Sequence, residues 1–162
     1  MDRRLIQRAV LVYLAASEAL VGVWATFFPR SFYDDFPGVG RVWVAVDGPF
    51  NEHLVRDVGQ LSLALAVVSL AAAVTMHLVT VRVAAVALAL NGVPHLIYHL
   101  RHLDKYSIGD KVGNVVSLGL LVVLPATVLI LSARDSLSQD APAARHTWRR
   151  SNHEGSDHEP NI

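Results

Sequence analysis

The chain has 162 residues, 52% of them hydrophobic, and its 14 Lys and Arg side chains balance 14 Asp and Glu. A neutral chain of this length has room for one folded unit and gives no basis for binding nucleic acid. It contains no cysteine, so disulfides, thiolate-held iron–sulfur clusters and thioether-linked haem are excluded for the chain alone.

The apolar residues gather in four long blocks. A hydrocarbon core of about 30 Å takes a helix of about 20 mostly apolar residues. The first block, Ala9 to Phe28, meets that length before Pro29 ends it. The charged start Asp2-Arg3-Arg4 is leader-like, but Glu18 inside the run and the lack of a small-residue cleavage site argue for a retained span. Arg30 to Asn51 is polar, aromatic and glycine-containing, and is expected to be the longest loop. Val42 to Val46 has strand character, but Phe32, Tyr33, Trp43 and Phe50 favour a segment lying at headgroup level.

The second block, Val55 to Val74, and the third, Leu78 to Leu100, are separated by so few residues that they predict an antiparallel hairpin. The polar connector Arg101 to Lys111 leads to the fourth block, Val112 to Leu131, whose Pro125 a membrane helix tolerates. Ser136 to Ile162 has too little apolar surface to offset its ordering entropy, and its three irregularly spaced histidines fit a solvated tail better than a metal site. The expected fold is all-α: a four-transmembrane-helix bundle over residues 1–133, with a long loop between helices 1 and 2, followed by a disordered C-terminal tail over 134–162. The N-terminus, hairpin and tail carry eight Lys and Arg against six in the two larger loops, which places both termini in the cytoplasm of a multi-pass cell-membrane protein. An even number of spans puts those two loops on one common side.

Polar residues recur at helical spacing near that side. His53, Asp57 and Gln60 follow an i, i+4, i+7 pattern, a stripe expected to turn away from lipid. Glu52 and Arg56 are four apart, which suits an ion pair that lets the arginine sit inside the boundary. On the third span, Asn91, His95, His99 and His102 form one narrow face, and Pro94 predicts a kink by freeing the carbonyl near Leu90. Arg56 and Asp57 share a depth with His95 and His99, so the two groups are expected to meet inside the bundle. Asn114 and Ser117 open the fourth span at that end, and Glu18 lies about 15 Å deeper.

A charge near mid-bilayer costs at least about 2.5 kcal/mol. Glu18 is therefore a functional candidate, or else a protonated carboxyl hydrogen-bonded to a neighbouring helix that Gly22 allows close. The candidate ligand-binding or polar cluster comprises Glu18, Glu52, His53, Arg56, Asp57, Asn91, His95, His99 and Asn114. No catalytic residue is assigned and no metal ligand set is expected. His77 lies at the opposite membrane edge, leaving only His53 to face His95 or His99 across a haem, so haem and a protein-held metal are both disfavoured. Phosphate-loop, serine-hydrolase and zinc-protease motifs are absent, as is a strong internal repeat.

Gly48-Pro-Phe-Asn-Glu-His-Leu-Val-Arg-Asp-Val-Gly59 and Asn91-Gly-Val-Pro-His-Leu-Ile-Tyr-His-Leu-Arg-His102 resemble a group of functionally uncharacterised small actinobacterial membrane proteins, over about residues 1–133. The layout of four spans with a polar first loop resembles the DoxX-like superfamily. That resemblance implies a four-helix membrane bundle, associated in some members with quinone-linked sulfur oxidation or oxidative-stress complexes. It carries no catalytic residue over to this chain.

Three readings stay open. The first is a binding or accessory module of a membrane redox system, with a quinone or another small amphipathic molecule near Glu18, Arg56, Asp57, His95 and His99. The second is a structural or interaction subunit, whose polar network sets register and the choice of a membrane protein partner or of further copies of itself. The third is proton-coupled transport of a small solute along a polar helix face. In each the bilayer is the constant partner and nucleic acid has no role.

Overall fold

A computed structural model of the chain describes residues 2–140, with side chains through Arg134. Five helices carry the fold: α1 (Arg3–Phe27), α2 (Pro29–Asp35), α3 (Glu52–Thr75), α4 (Leu78–Arg101) and α5 (Ile108–Asp140). Four of them, all but α2, are long and apolar enough to cross a membrane.

Helix starts are set by caps rather than by the apolar blocks. Asp2 accepts a hydrogen bond from the Arg4 backbone N–H at 3.0 Å, so α1 begins six residues before Ala9. Asn51 does the same for Leu54 at 3.1 Å, so α3 begins at Glu52 rather than Val55. Short side chains that accept from the first turn satisfy donors the helix itself leaves open. At the hairpin, Met76 takes a left-handed conformation (φ 49°) and its N–H bonds to the Ala72 carbonyl, closing α3 two residues before α4 begins. Helix α4 runs without interruption through Pro94. Helix α5 continues past Arg134 to Asp140. The rest of the expected disordered tail, residues 141–162, lies outside the described residues.

The stretch expected as one long loop is folded. Its first part is α2, followed by a two-residue ribbon pairing β1 (Pro37–Gly38) with β2 (Arg41–Val42) and a single 3-10 turn at Ala45–Asp47. Gly38 and Gly40 hold positive φ at the ribbon's turn, where a Cβ is disfavoured. Phe32 does not lie out at a headgroup surface; it is buried with Ala25 and Val55, edge-on to Trp24.

The bundle packs as two close antiparallel pairs, α1 on α3 and α4 on α5, joined by lighter α3–α4 and α1–α5 contacts. Its core near the hairpin is Leu11, Ala72, Ala73, Val81, Ala84, Ala85 and Val128. At mid-height Leu14, Leu65 and Leu88 meet. The outer faces carry apolar side chains in turn, among them Leu20, Val67, Val83, Val123 and Ile130. The buried set includes Gln7, Glu18, Ser62, Ser69, Asn114 and Ser132. Polar groups inside and aliphatic groups outside are the distribution a hydrocarbon solvent selects.

Glycine fixes the spacing of α1 and α3. A Cβ on Gly22 would fall 2.8 Å from the Leu63 backbone N, and one on Gly59 would fall 2.6 Å from the Thr26 N. A Cβ on Gly119 would meet nothing within 4 Å. Gly59→Val is therefore expected to destabilise the bundle by about 1–3 kcal/mol through overpacking. Gly119→Ala is expected to be neutral or to gain up to about 1 kcal/mol in helix propensity. Thermal unfolding in mild detergent checks both, and equal midpoints for the two variants would remove the α1–α3 contact as the cause.

Candidate ligand-binding groove

The α3–α4 hairpin is closed by small residues at its turn and by Leu65 against Leu88 at mid-height, and it parts beyond them. The gap is a cavity of about 490 Å³. Leu54, Val55 and Val58 of α3 form its apolar wall, and Asn91, His95, Tyr98 and His99 of α4 form its polar wall. Residues Val44, Asp47, Gly48 and Pro49 of the α2–α3 connector roof it, together with Tyr33. Leu54, Val58 and Tyr98 are also exposed, so the groove opens sideways between the helices.

Hydrogen bonds, most of them between residues more than fifty apart, hold the roof in place. Tyr33 donates to the Gly48 carbonyl at 2.5 Å. Tyr106, in the α4–α5 connector, donates to the Trp43 carbonyl at 2.9 Å and lies 3.3 Å from Asp47. The Lys105 ammonium is 3.3 Å from the same aspartate. One turn on, Asp110 accepts from Arg41 at 2.5 Å, from the Trp43 indole at 2.9 Å and from the Ser107 hydroxyl at 2.5 Å. Asp47 and Asp110 thus tie the α2–α3 connector to the α4–α5 connector and to the first turn of α5, over the end of α4. Burial of the Tyr106 phenol, then the charge and hydrogen bond of Asp47, push its pKa well above the ordinary tyrosine value.

Below the roof, the rings of His95 and His99 stack at 4.9 Å with a 16° tilt. His99 is also packed against Tyr98 and Tyr106. Its Nδ1 is buried without a hydrogen-bond partner, whereas His102 places its Nδ1 2.7 Å from the Tyr98 carbonyl. A buried polar nitrogen left open costs about 1–3 kcal/mol, which a ligand atom of matching polarity recovers. An imidazole can donate or accept there according to tautomer. The groove therefore suits a molecule with a polar, hydrogen-bonding head at His95 and His99 and an apolar body along Leu54 and Val58.

The nine candidate residues do not form one cluster. Asn91, His95 and His99 line the groove. Glu52 and Arg56 pair at 2.9 Å as expected, and Arg56 also donates to the Thr26 carbonyl, so this pair binds α3 to α1. His53 and Asp57 contact each other at 2.8 Å, but their side chains are 86% and 52% exposed. The stripe with Gln60 thus faces outward rather than inward, because Val55 and Gly59 occupy the buried face between them. Arg56 and Asp57 do not join the two histidines; α3 presents Leu54, Val55 and Val58 to the groove instead. Glu18 is 5% exposed and hydrogen-bonded to Ser62 between α1 and α3, away from the groove lining. Asn114 is 1% exposed, with its Oδ1 unpartnered in the interior.

Asp47, Trp43, Tyr106 and Asp110 shape the site and were not legible as members of it. Asp47, Trp43 and Tyr106 sit in connectors with no periodic pattern and Asp110 sits in the first turn of α5, and each has a partner remote in sequence. Among the described residues no three His, Asp or Glu side chains gather as a metal set. No protein-family model, curated protein or solved structure matches the chain.

The raised Tyr106 pKa has a defined sign. A phenol whose folded pKa exceeds its unfolded value of 10.0 contributes stability that is present below pH 10 and is lost as pH rises through the folded value. Tyrosinate absorbance should therefore show one tyrosine ionising late, together with loosening of the connectors. Tyr106→Phe should remove that late phase and cost about 0.5–1.5 kcal/mol at neutral pH. A variant that keeps the late phase would assign it to another tyrosine.

Proposed function

We propose that this chain is a four-helix integral membrane protein of DoxX-like layout, inserted with both termini in the cytoplasm. It binds a small amphipathic molecule of the quinone class in the α3–α4 groove, as a binding or accessory module of a membrane redox system. The observation that carries this reading is the unpartnered Nδ1 of His99 in the polar wall of a lateral groove whose facing wall is apolar. A quinone carbonyl accepts the hydrogen bond that nitrogen can make, and its ring matches the stacked pair of imidazoles in shape and polarity. Concave, mostly apolar sites with a few convergent polar groups are the common form of small-molecule pockets. Asp57, exposed on the outer face, has no part in the binding.

The orientation is supported by Arg3, Arg4 and Arg8 near the start of α1 and by Arg82 near the start of α4. The chain's own residues supply binding and orientation. Electron exchange belongs to the bound quinone and to whatever partner reduces or oxidises it.

The test is titration of the detergent-solubilised protein with a short-chain quinone, read by quenching of tryptophan fluorescence, since Trp43 lies in the roof region. Saturable quenching is expected. His99→Phe should weaken it about three- to tenfold, the value of one hydrogen bond, and Asp57→Asn should leave it unchanged. Unsaturable quenching, or equal titrations for wild type and His99→Phe, would reject the groove as a quinone site. A partner protein retained by the wild type alone would then favour the interaction reading.

A further inference from the structure

At the roofed end of the α4–α5 pair a second buried polar atom stands open beside that of His99. A Cβ on Gly92 would lie 2.8 Å from the Leu121 carbonyl oxygen, so these two residues face each other across the helices. His99 lies seven residues beyond Gly92, and Asn114 lies seven before Leu121. The helices are antiparallel and seven residues make about two turns, so His99 and Asn114 come to one level on facing sides. Arg82 and Ser132, ten residues before Gly92 and eleven beyond Leu121, keep that register to within one residue. The connectors agree with it. The Tyr106 ring is 6.2 Å from that of His99, its hydroxyl donates to the Trp43 carbonyl, and a Cβ on Gly113 would fall 3.0 Å from the Trp43 ring.

Asn114 is 1% exposed and its Oδ1 has no hydrogen-bond partner, nor has the buried Nδ1 of His99. The neighbouring hydroxyls are committed elsewhere. Ser117 donates to backbone carbonyls of its own helix, and Tyr106 is held by Trp43 and Asp47. Each open atom costs about 1–3 kcal/mol. An amide oxygen only accepts, whereas the imidazole nitrogen donates in one tautomer. A single group satisfies both if it carries a proton and a lone pair on the same atom, as a hydroxyl does. A quinone carbonyl has lone pairs alone and leaves Asn114 open.

We infer that the groove, on the quinone-class reading proposed above, takes its ligand in the reduced, hydroxyl-bearing form, with Asn114 as the residue that selects it. The quinol hydroxyl accepts from His99 Nδ1–H and donates to Asn114 Oδ1. Asn114 stands behind the polar wall of Asn91, His95 and His99 rather than in it, so the tip of the head meets it while the ring stays against the imidazoles. His99 alone holds either form, and the amide oxygen separates them. A site of this kind retains the quinol and lets the quinone go.

The experiment is an anaerobic calorimetric titration of the full chain in mild detergent with duroquinol, with duroquinone and with the dimethyl ether of duroquinol, which lacks the donor proton. Wild type should bind duroquinol about three- to tenfold more tightly than duroquinone, the value of one hydrogen bond, and should discriminate against the ether at least as strongly. Asn114→Leu, a replacement of similar size, should bring the ratio of duroquinol to duroquinone affinity close to one. Asn114→Thr keeps an acceptor oxygen and should keep part of the ratio. Should the leucine variant fail to fold, the threonine variant and the ether carry the test. Equal affinities in the wild type, a preference for duroquinone, or a ratio that Asn114→Leu leaves unchanged would overturn the inference. Saturable duroquinone binding that His99→Phe weakens would in that case still uphold the groove as a quinone site, whereas binding of neither form would reject both.

Discussion

Where α1 crosses α3, backbone meets backbone. Neither Gly22 nor Gly59 has space for a Cβ, since each would run into main-chain atoms of the other helix. In lipid, apolar surface gains little by leaving the solvent, so close packing of this kind carries the association of helices. A similar contact draws α4 onto α5, where a Cβ on Gly92 would lie 2.8 Å from the Leu121 carbonyl oxygen. Both contacts pull outward on the α3–α4 hairpin. Its turn holds the helices together through Ala72, Ala73, Ala84 and Ala85, and Leu65 against Leu88 is the last buried pair before they part. The groove beyond that pair is the geometric result of two tight pairs sharing one short turn.

Arginines complete the same scheme at the helix ends. Arg56, near the start of α3, donates to the Thr26 carbonyl in the last turn of α1. Arg8, near the start of α1, donates to the Ala73 carbonyl in the last turn of α3 at 3.1 Å. Final-turn carbonyls have no partner within their own helix and carry the negative end of its dipole. Away from water an open carbonyl is costly, so a cation from the antiparallel neighbour removes two liabilities at once. The caps are reciprocal, which fixes the axial register of α1 against α3. Arg82 acts differently: it reaches Ser132 within α5, which continues beyond that point to Asp140.

How much of this was legible in the sequence depended on whether a residue's partner was local. Four apolar blocks located the four long helices, and the four-residue spacing of Glu52 and Arg56 located their ion pair. The same spacing put His53 and Asp57 in contact but did not say which way they face, because a helical stripe fixes a direction only relative to its neighbours. Gly59 and Val55 were the residues that decided it, and nothing in the polar pattern pointed to them. The polar face of α4 was legible: Asn91, His95 and His99 line the groove, and His102 stacks on Tyr98 at its rim. The roof was not legible. Asp110 meets Arg41 and Trp43, and Tyr106 meets Asp47, through pairings that only the folded connectors create.

That roof determines how a ligand would reach the groove. The connectors are tied down on the side facing water by Tyr106, Asp47, Lys105 and Asp110, so the roofed end is bound by hydrogen bonds and ion pairs. The sideways mouth is bordered by Leu54, Val58 and Tyr98, which are exposed where hydrocarbon would lie. On the proposed reading, a ligand partitions into the bilayer first and then moves laterally past aliphatic side chains to His95 and His99. A strongly polar solute would lose its hydration along that path with nothing to replace it, whereas an amphipathic ring loses little and gains the open nitrogen of His99. Selectivity would then come less from the two histidines than from the route that leads to them.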